Sequence, residues 1–77
     1  MKLIHIKETS GAEYYFNPMY IKSVKIVHSE YNQDWCIVLN LDGHKNNTID
    51  STYTILCETK EIMDKKLAEI KEALESI

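Results

Sequence analysis

At 77 residues the chain makes one domain, and a domain of this size hides only about 60% of the surface its unfolded chain exposes, which leaves little material for a deep, dry active site. With 44% hydrophobic and 27% charged residues, it falls among ordinary globular sequences and not disordered ones. The formal charge of −3 and the lack of any arginine argue against nucleic acid as the main partner, since phosphate binding draws on clustered cations and on the bidentate guanidinium.

The first segment, residues 2–8, alternates. Ile4 and Ile6 fall on one face and His5 and Lys7 on the other, as in a strand with one buried face. It is too short and too interrupted by charge to be a signal or membrane segment, and no other run is long enough to span a bilayer, so a cytoplasmic protein without membrane contact is expected. Thr9-Ser10-Gly11-Ala12 reads as a turn in which Gly11 takes positive φ at no steric cost, and a second strand returns over 13–16.

Asn17-Pro18 then breaks the ladder. Proline fixes its own φ, removes a donor and pushes Asn17 towards extended geometry, so 18–21 should form a corner, with Met19 or Ile21 placed to plug one end of the sheet. A third strand follows over 22–28, its alternation turning Val24 and Ile26 inward. Residues 29–34 form a polar connection. The run 35–41, Trp-Cys-Ile-Val-Leu-Asn-Leu, is the most apolar in the chain and reads as the central strand. Asp42-Gly43 supplies a two-residue hairpin signal, 44–51 reads as a distorted or bulged extension of that hairpin, and 52–57 is the last strand by residue type.

The carboxy-terminal segment, 60–76, is helical. Thr59 can cap it, Glu61 and Asp64 suit its first turns, and Met63, Leu67, Ile70, Leu74 and Ile77 recur at four-three-four-three spacing. Glu61 stands four residues before Lys65, the favourable order for a surface ion pair. The stripe covers little more than two heptads, so packing against the sheet is preferred, with a homodimer through this helix as the alternative. The expected fold is α+β: a small antiparallel sheet of four to five strands covered by one C-terminal amphipathic helix.

A leading strand, a glycine turn, Phe16-Asn17-Pro18 with Ile21 and Val24, a strand ending in a glycine turn and a closing amphipathic helix resemble the short flagellar-operon proteins of the FlbD type. The likeness covers most of the chain, with longer segments at 28–35 and 44–52 as departures from the family pattern. It implies this order of elements and a flagellar accessory role.

Chemistry-bearing residues are scattered. His5, His28 and His44 lie in three different segments, and none has a carboxylate or cysteine at metal-ligand spacing. Cys36 and Cys57 form no CxxC pair, which excludes a zinc ribbon or thioredoxin-like motif on spacing and leaves two free thiols, or a disulfide if their strands are neighbours. Gly11 and Gly43 are isolated turn glycines and build no phosphate loop. No cofactor and no catalytic residue is therefore expected.

Five tyrosines and one tryptophan exceed what so small a core requires, and these are the residues that anchor interfaces. Glu30, Tyr31, Asp34 and Trp35 gather them with acidic groups at what should be a hairpin end, unless Trp35 caps the core and Tyr31 is merely exposed, while Tyr14, Tyr15, Tyr20 and Tyr53 offer a second aromatic patch on the outer sheet face, though alternation sends some of them inward. The expected function is a non-enzymatic protein-binding module: an inhibitor or adaptor of the phage or mobile-element kind that docks on a host or cognate protein with a basic surface. The alternative from another class is a homo-oligomer that sequesters a nucleotide-like ligand on its aromatic rings.

Overall fold

The structure is a computed structural model that describes residues 2–8, 10–31, 33–43 and 49–77. Among them are five strands, β1 (Ile4–Lys7), β2 (Glu13–Phe16), β3 (Ile21–His28), β4 (Trp35–Leu41) and β5 (Ser51–Cys57), with a 3-10 turn at Pro18–Tyr20 and a helix, α1, at Lys60–Glu75. The fold is α+β with antiparallel pairing throughout. The strands do not make one sheet as the sequence led us to expect: β1 and β2 form a two-stranded hairpin, and β3-β4-β5 a separate three-stranded sheet. The reason lies at Asn17-Pro18, where the missing N–H ends β2 and the chain turns before β3 begins. The Asn17 side chain accepts from the Met19 N–H at 2.9 Å and its carbonyl from Tyr20 N–H at 3.0 Å, which fixes the corner.

That corner is plugged by Pro18 itself, which is fully buried, and by Ile21, which packs on the core, whereas Met19 points outward at 49% exposure. The β1–β2 hairpin closes through Gly11 at φ +94°, with Glu8 N–H donating to the Ala12 carbonyl at 2.8 Å. Pairing Ile4 with Phe16 and Ile6 with Tyr14 turns one apolar face inward and leaves His5, Tyr15, Lys7 and Glu13 on the other.

In the larger sheet, β4 is central. Ile37 and Leu39 are wholly buried, and their cross-strand partners Ile55 and Tyr53 on β5 and Ile26 and Val24 on β3 share the same face. A register shift between Ile21 and Ser23 lets both Ile21 and Val24 face inward, which strict alternation forbids. The connection from β4 to β5 runs from 42 to 50, since Leu41 pairs with Ser51, so Asp42-Gly43 does not close a two-residue hairpin. Asp50 organises the described part of that connection by accepting from Gly43 N–H at 3.0 Å and Lys22 Nζ at 2.8 Å. The expected bulged extension over 44–51 falls largely outside the described residues.

The helix starts at Thr59, whose hydroxyl accepts from Ile62 N–H at 3.2 Å. It packs on β4, β5, β1 and the 3-10 turn. Met63, Ile70 and Ala73 are buried, Leu67 and Leu74 half-buried, and Ile77 is 63% exposed, so the inward stripe stops one turn short of its sequence extent. Its ion pairs among the described residues are Lys66–Glu69 at 3.1 Å and Lys2–Glu72 at 3.0 Å, the second tying α1 to the start of β1; Glu61 and Lys65 are not among them. Among the described residues, no helix is long and apolar enough to cross a membrane.

Candidate functional site

The β3–β4 hairpin tip carries the residues singled out in the sequence. His28 and Trp35 are opposite partners at the last rung, and their rings stack at 4.0 Å and 8° from parallel, which closes the hairpin rigidly. Beyond that rung the Ser29 N–H donates to the Asp34 carbonyl and the Gln33 N–H to the Ser29 carbonyl, both at 2.9 Å. Gln33 takes φ 63°, and its side-chain amide donates to the Glu30 carbonyl at 3.0 Å. A positive φ at a non-glycine residue is tolerable only where surrounding bonds over-determine it, and here three do.

The result is a held turn with Tyr31 at its apex, 99% exposed. Glu30 is exposed beside it, and Asp34 is half-buried at the base. Trp35 stands apart from these three: it is half-buried, packs on the core and shares its face with Cys57, so its ring supports the hairpin more than it presents a contact surface. Chemically, the tip can offer an amphipathic ring and acidic groups to a partner.

The other tyrosines do not form one outer patch. Tyr14 and Phe16 lie against Tyr53, at centroid distances of 5.5 and 5.0 Å, so these rings seal the seam between the hairpin and β5. Glu8 lies near this seam, and its carboxylate, by favouring the protonated hydroxyl and by its negative charge, raises the Tyr14 pKa; Tyr53 is raised first by burial and then by the same carboxylate. Tyr15, 64% exposed, stacks on His5, whose ring meets Glu13 at 2.9 Å. Tyr20 is half-buried in the corner.

Among the described residues, no three histidine, cysteine or acidic side chains cluster as a metal would require. Although β4 and β5 are neighbours, Cys36 pairs with Leu56 and Cys57 with Trp35, so the two thiols project from opposite faces and both are free. Burial, followed by the neighbouring Cys36, pushes the Cys57 pKa up, while Lys66 acts weakly the other way. A thiol held in its protonated form at neutral pH is a poor nucleophile.

Sequence reasoning missed a second surface. The helix leaves the inner face of β3 partly bare, and an open groove of about 520 Å³ runs between Val24 and Ile26 on β3 and Leu67, Ile70 and Leu74 on α1. Ile26 is 40% exposed at its edge, against the inward burial expected of it. Alternation identifies the inner face of a strand but not which strands a helix will cover, so the only signal available was the surplus of apolar residues over helix width. No protein-family model, curated protein or solved structure matches the chain.

Proposed function

We propose that the chain is a non-enzymatic protein-binding module that docks through the β3–β4 hairpin tip onto a partner with a basic surface. The observation that carries this reading is Tyr31, 99% exposed in a connection whose described residues Ser29, Glu30, Gln33 and Asp34 are joined by hydrogen bonds. A large ring held in water gives folding nothing, yet it can enter a partner's pocket, and the bonds at its base lower the entropy lost on docking. Glu30 and Asp34 flank it and agree in sign with the net charge of −3, so they steer a basic surface towards the ring. An inhibitor or adaptor acting in the cytoplasm, of the kind small phage and mobile-element proteins supply, fits these features.

The test is native mass spectrometry of the tagged protein isolated from its own cells, comparing wild type with Tyr31→Ala/Asp34→Lys. A protein partner at fixed ratio that the double variant loses supports the proposal. A ligand-sized mass increment on a homo-oligomer would replace it with the sequestering reading, and a partner retained equally by both proteins would move the interface elsewhere.

A further inference from the structure

The groove beside β3 is a second docking surface, separate from the hairpin tip, and we propose that it takes an extended acidic peptide segment as an added strand. Three observations meet there. β3 ends the order β3-β4-β5, so among the described residues one side of this eight-residue strand has no strand neighbour, and its free N–H and C=O groups are a template for another chain. The groove lies between that edge and α1 and is lined by Val24, Ile26, Leu67, Ile70 and Leu74, so alternate side chains of an added strand would enter an apolar trough while the others face water. The ionisable side chains that line it are Lys22 and Lys71, and Lys25 stands on the opposite face of the same strand, where the water-facing side chains of an added strand would lie.

The charges also select the occupant. A second copy pairing β3 with β3 in the antiparallel sense about Lys25 would set that ammonium directly opposite itself. Like charges directly opposite destabilise a ladder, and edge lysines are a recognised guard against self-pairing. The same lysines attract a strand with alternating acidic residues. Lys22 is engaged by Asp50 at 2.8 Å, whereas Lys25 and Lys71 form no ion pair among the described residues and remain available.

The experiment uses fluorescence anisotropy with a labelled probe peptide, acetyl-Glu-Val-Glu-Ile-Glu-Val-Glu-Val-amide, on the full chain. Saturable binding is expected, weakened at least tenfold by Lys71→Glu and by Ile26→Glu and left unchanged by Tyr31→Ala. A peptide of the same composition with its acidic and apolar residues in separate blocks should bind at least tenfold more weakly, and the amides of β3 should exchange more slowly with the alternating probe bound. Lys71 is solvent-exposed, so its variant reports on binding even if Ile26→Glu disturbs the fold. No saturable binding, equal binding of the block peptide, or loss only with Tyr31→Ala would overturn the proposal. So would a concentration-dependent dimer in sedimentation that Ile26→Glu abolishes, since the occupant would then be a second copy.

Discussion

Ile70 is the side chain on which the helix should stand or fall. It is 0% exposed, at the centre of the helical stripe, and belongs to the same cluster as Ile37 and Leu39 of β4. Replacing it by alanine removes buried carbons and leaves a cavity that a small, two-layer core can only partly collapse, so the loss should be about 3–4 kcal/mol within the usual range of about 2–5. The whole domain is expected to be stable by roughly 4–12 kcal/mol, so this one change removes a large share. Leu67→Ala, half-buried at the lip of the groove, should cost about 2 kcal/mol, and Ile62→Ala, at 48% exposure, under about 1 kcal/mol. Urea denaturation read by Trp35 fluorescence measures all three, provided the slope is unchanged so that midpoint shifts report stability. The order Ile70, Leu67, Ile62 is the content of the prediction. A loss below about 1 kcal/mol for Ile70→Ala, or a larger loss for Ile62→Ala, would mean that a different face of α1 meets the sheet.

Thr59→Ala removes the acceptor that caps α1 and should lower stability by about 1 kcal/mol in the same assay, with Thr59→Ser retaining most of it. Gly11→Ala forces a side chain to φ +94° with open space around it, so a loss of about 1 kcal/mol should come from backbone strain alone, and no loss would mean that the turn had changed type. Under native conditions an aromatic disulfide reagent should titrate Cys36 quickly and Cys57 only on unfolding; equal rates would contradict the assignment of Cys57 to the inner face. Because the folded Cys57 pKa lies above its unfolded value, its contribution to stability is complete below the unfolded thiol pKa of about 8.5 and is lost as pH rises towards the folded value. Unfolding free energy should therefore fall more steeply above about pH 8.5 in wild type than in Cys57→Ala, and parallel profiles would show that the thiol is not shielded.

The elements themselves were written locally and could be read locally. Pro18 names its own corner, Thr59 its own cap, and the near-continuous apolar run of 35–41 its own central strand. Whether β2 continues into the sheet of β3 is a tertiary matter, and nothing in Tyr14-Tyr15-Phe16 distinguishes a strand that joins a sheet from one that folds over it. The two-residue hairpin expected at Asp42-Gly43 failed because a local turn preference lost to the strand register, with Leu41 opposite Ser51 and Asp50 reaching back to Gly43 and Lys22. For the candidate site, the polar loop containing Tyr31 was visible from sequence because no apolar pattern claims that residue. Trp35 was grouped with it by proximity in the chain, although the sequence equally allowed it to cap the core, and the pairing with Cys57 and the stack on His28 place it towards the core.

The groove follows from widths. A helix with its side chains is about 10 Å across and neighbouring strands are about 4.8 Å apart, so one helix covers about two strands. Here α1 packs on β4 and β5, and the β1–β2 hairpin folds over the β5 side, where Tyr14 and Phe16 meet Tyr53. Nothing among the described residues remains to cover β3, so Val24 and Ile26 turn towards a space bounded only by the flank of the helix. The position of Ile26 could have been filled by threonine at little cost to a half-covered strand. An isoleucine 40% exposed opposite Leu67 and Leu74, on an open edge guarded by lysines, is therefore a residue that folding alone does not require. Lys25 and Lys71, which form no ion pair among the described residues, stand beside it and make this leftover surface a candidate for recognition of an acidic strand.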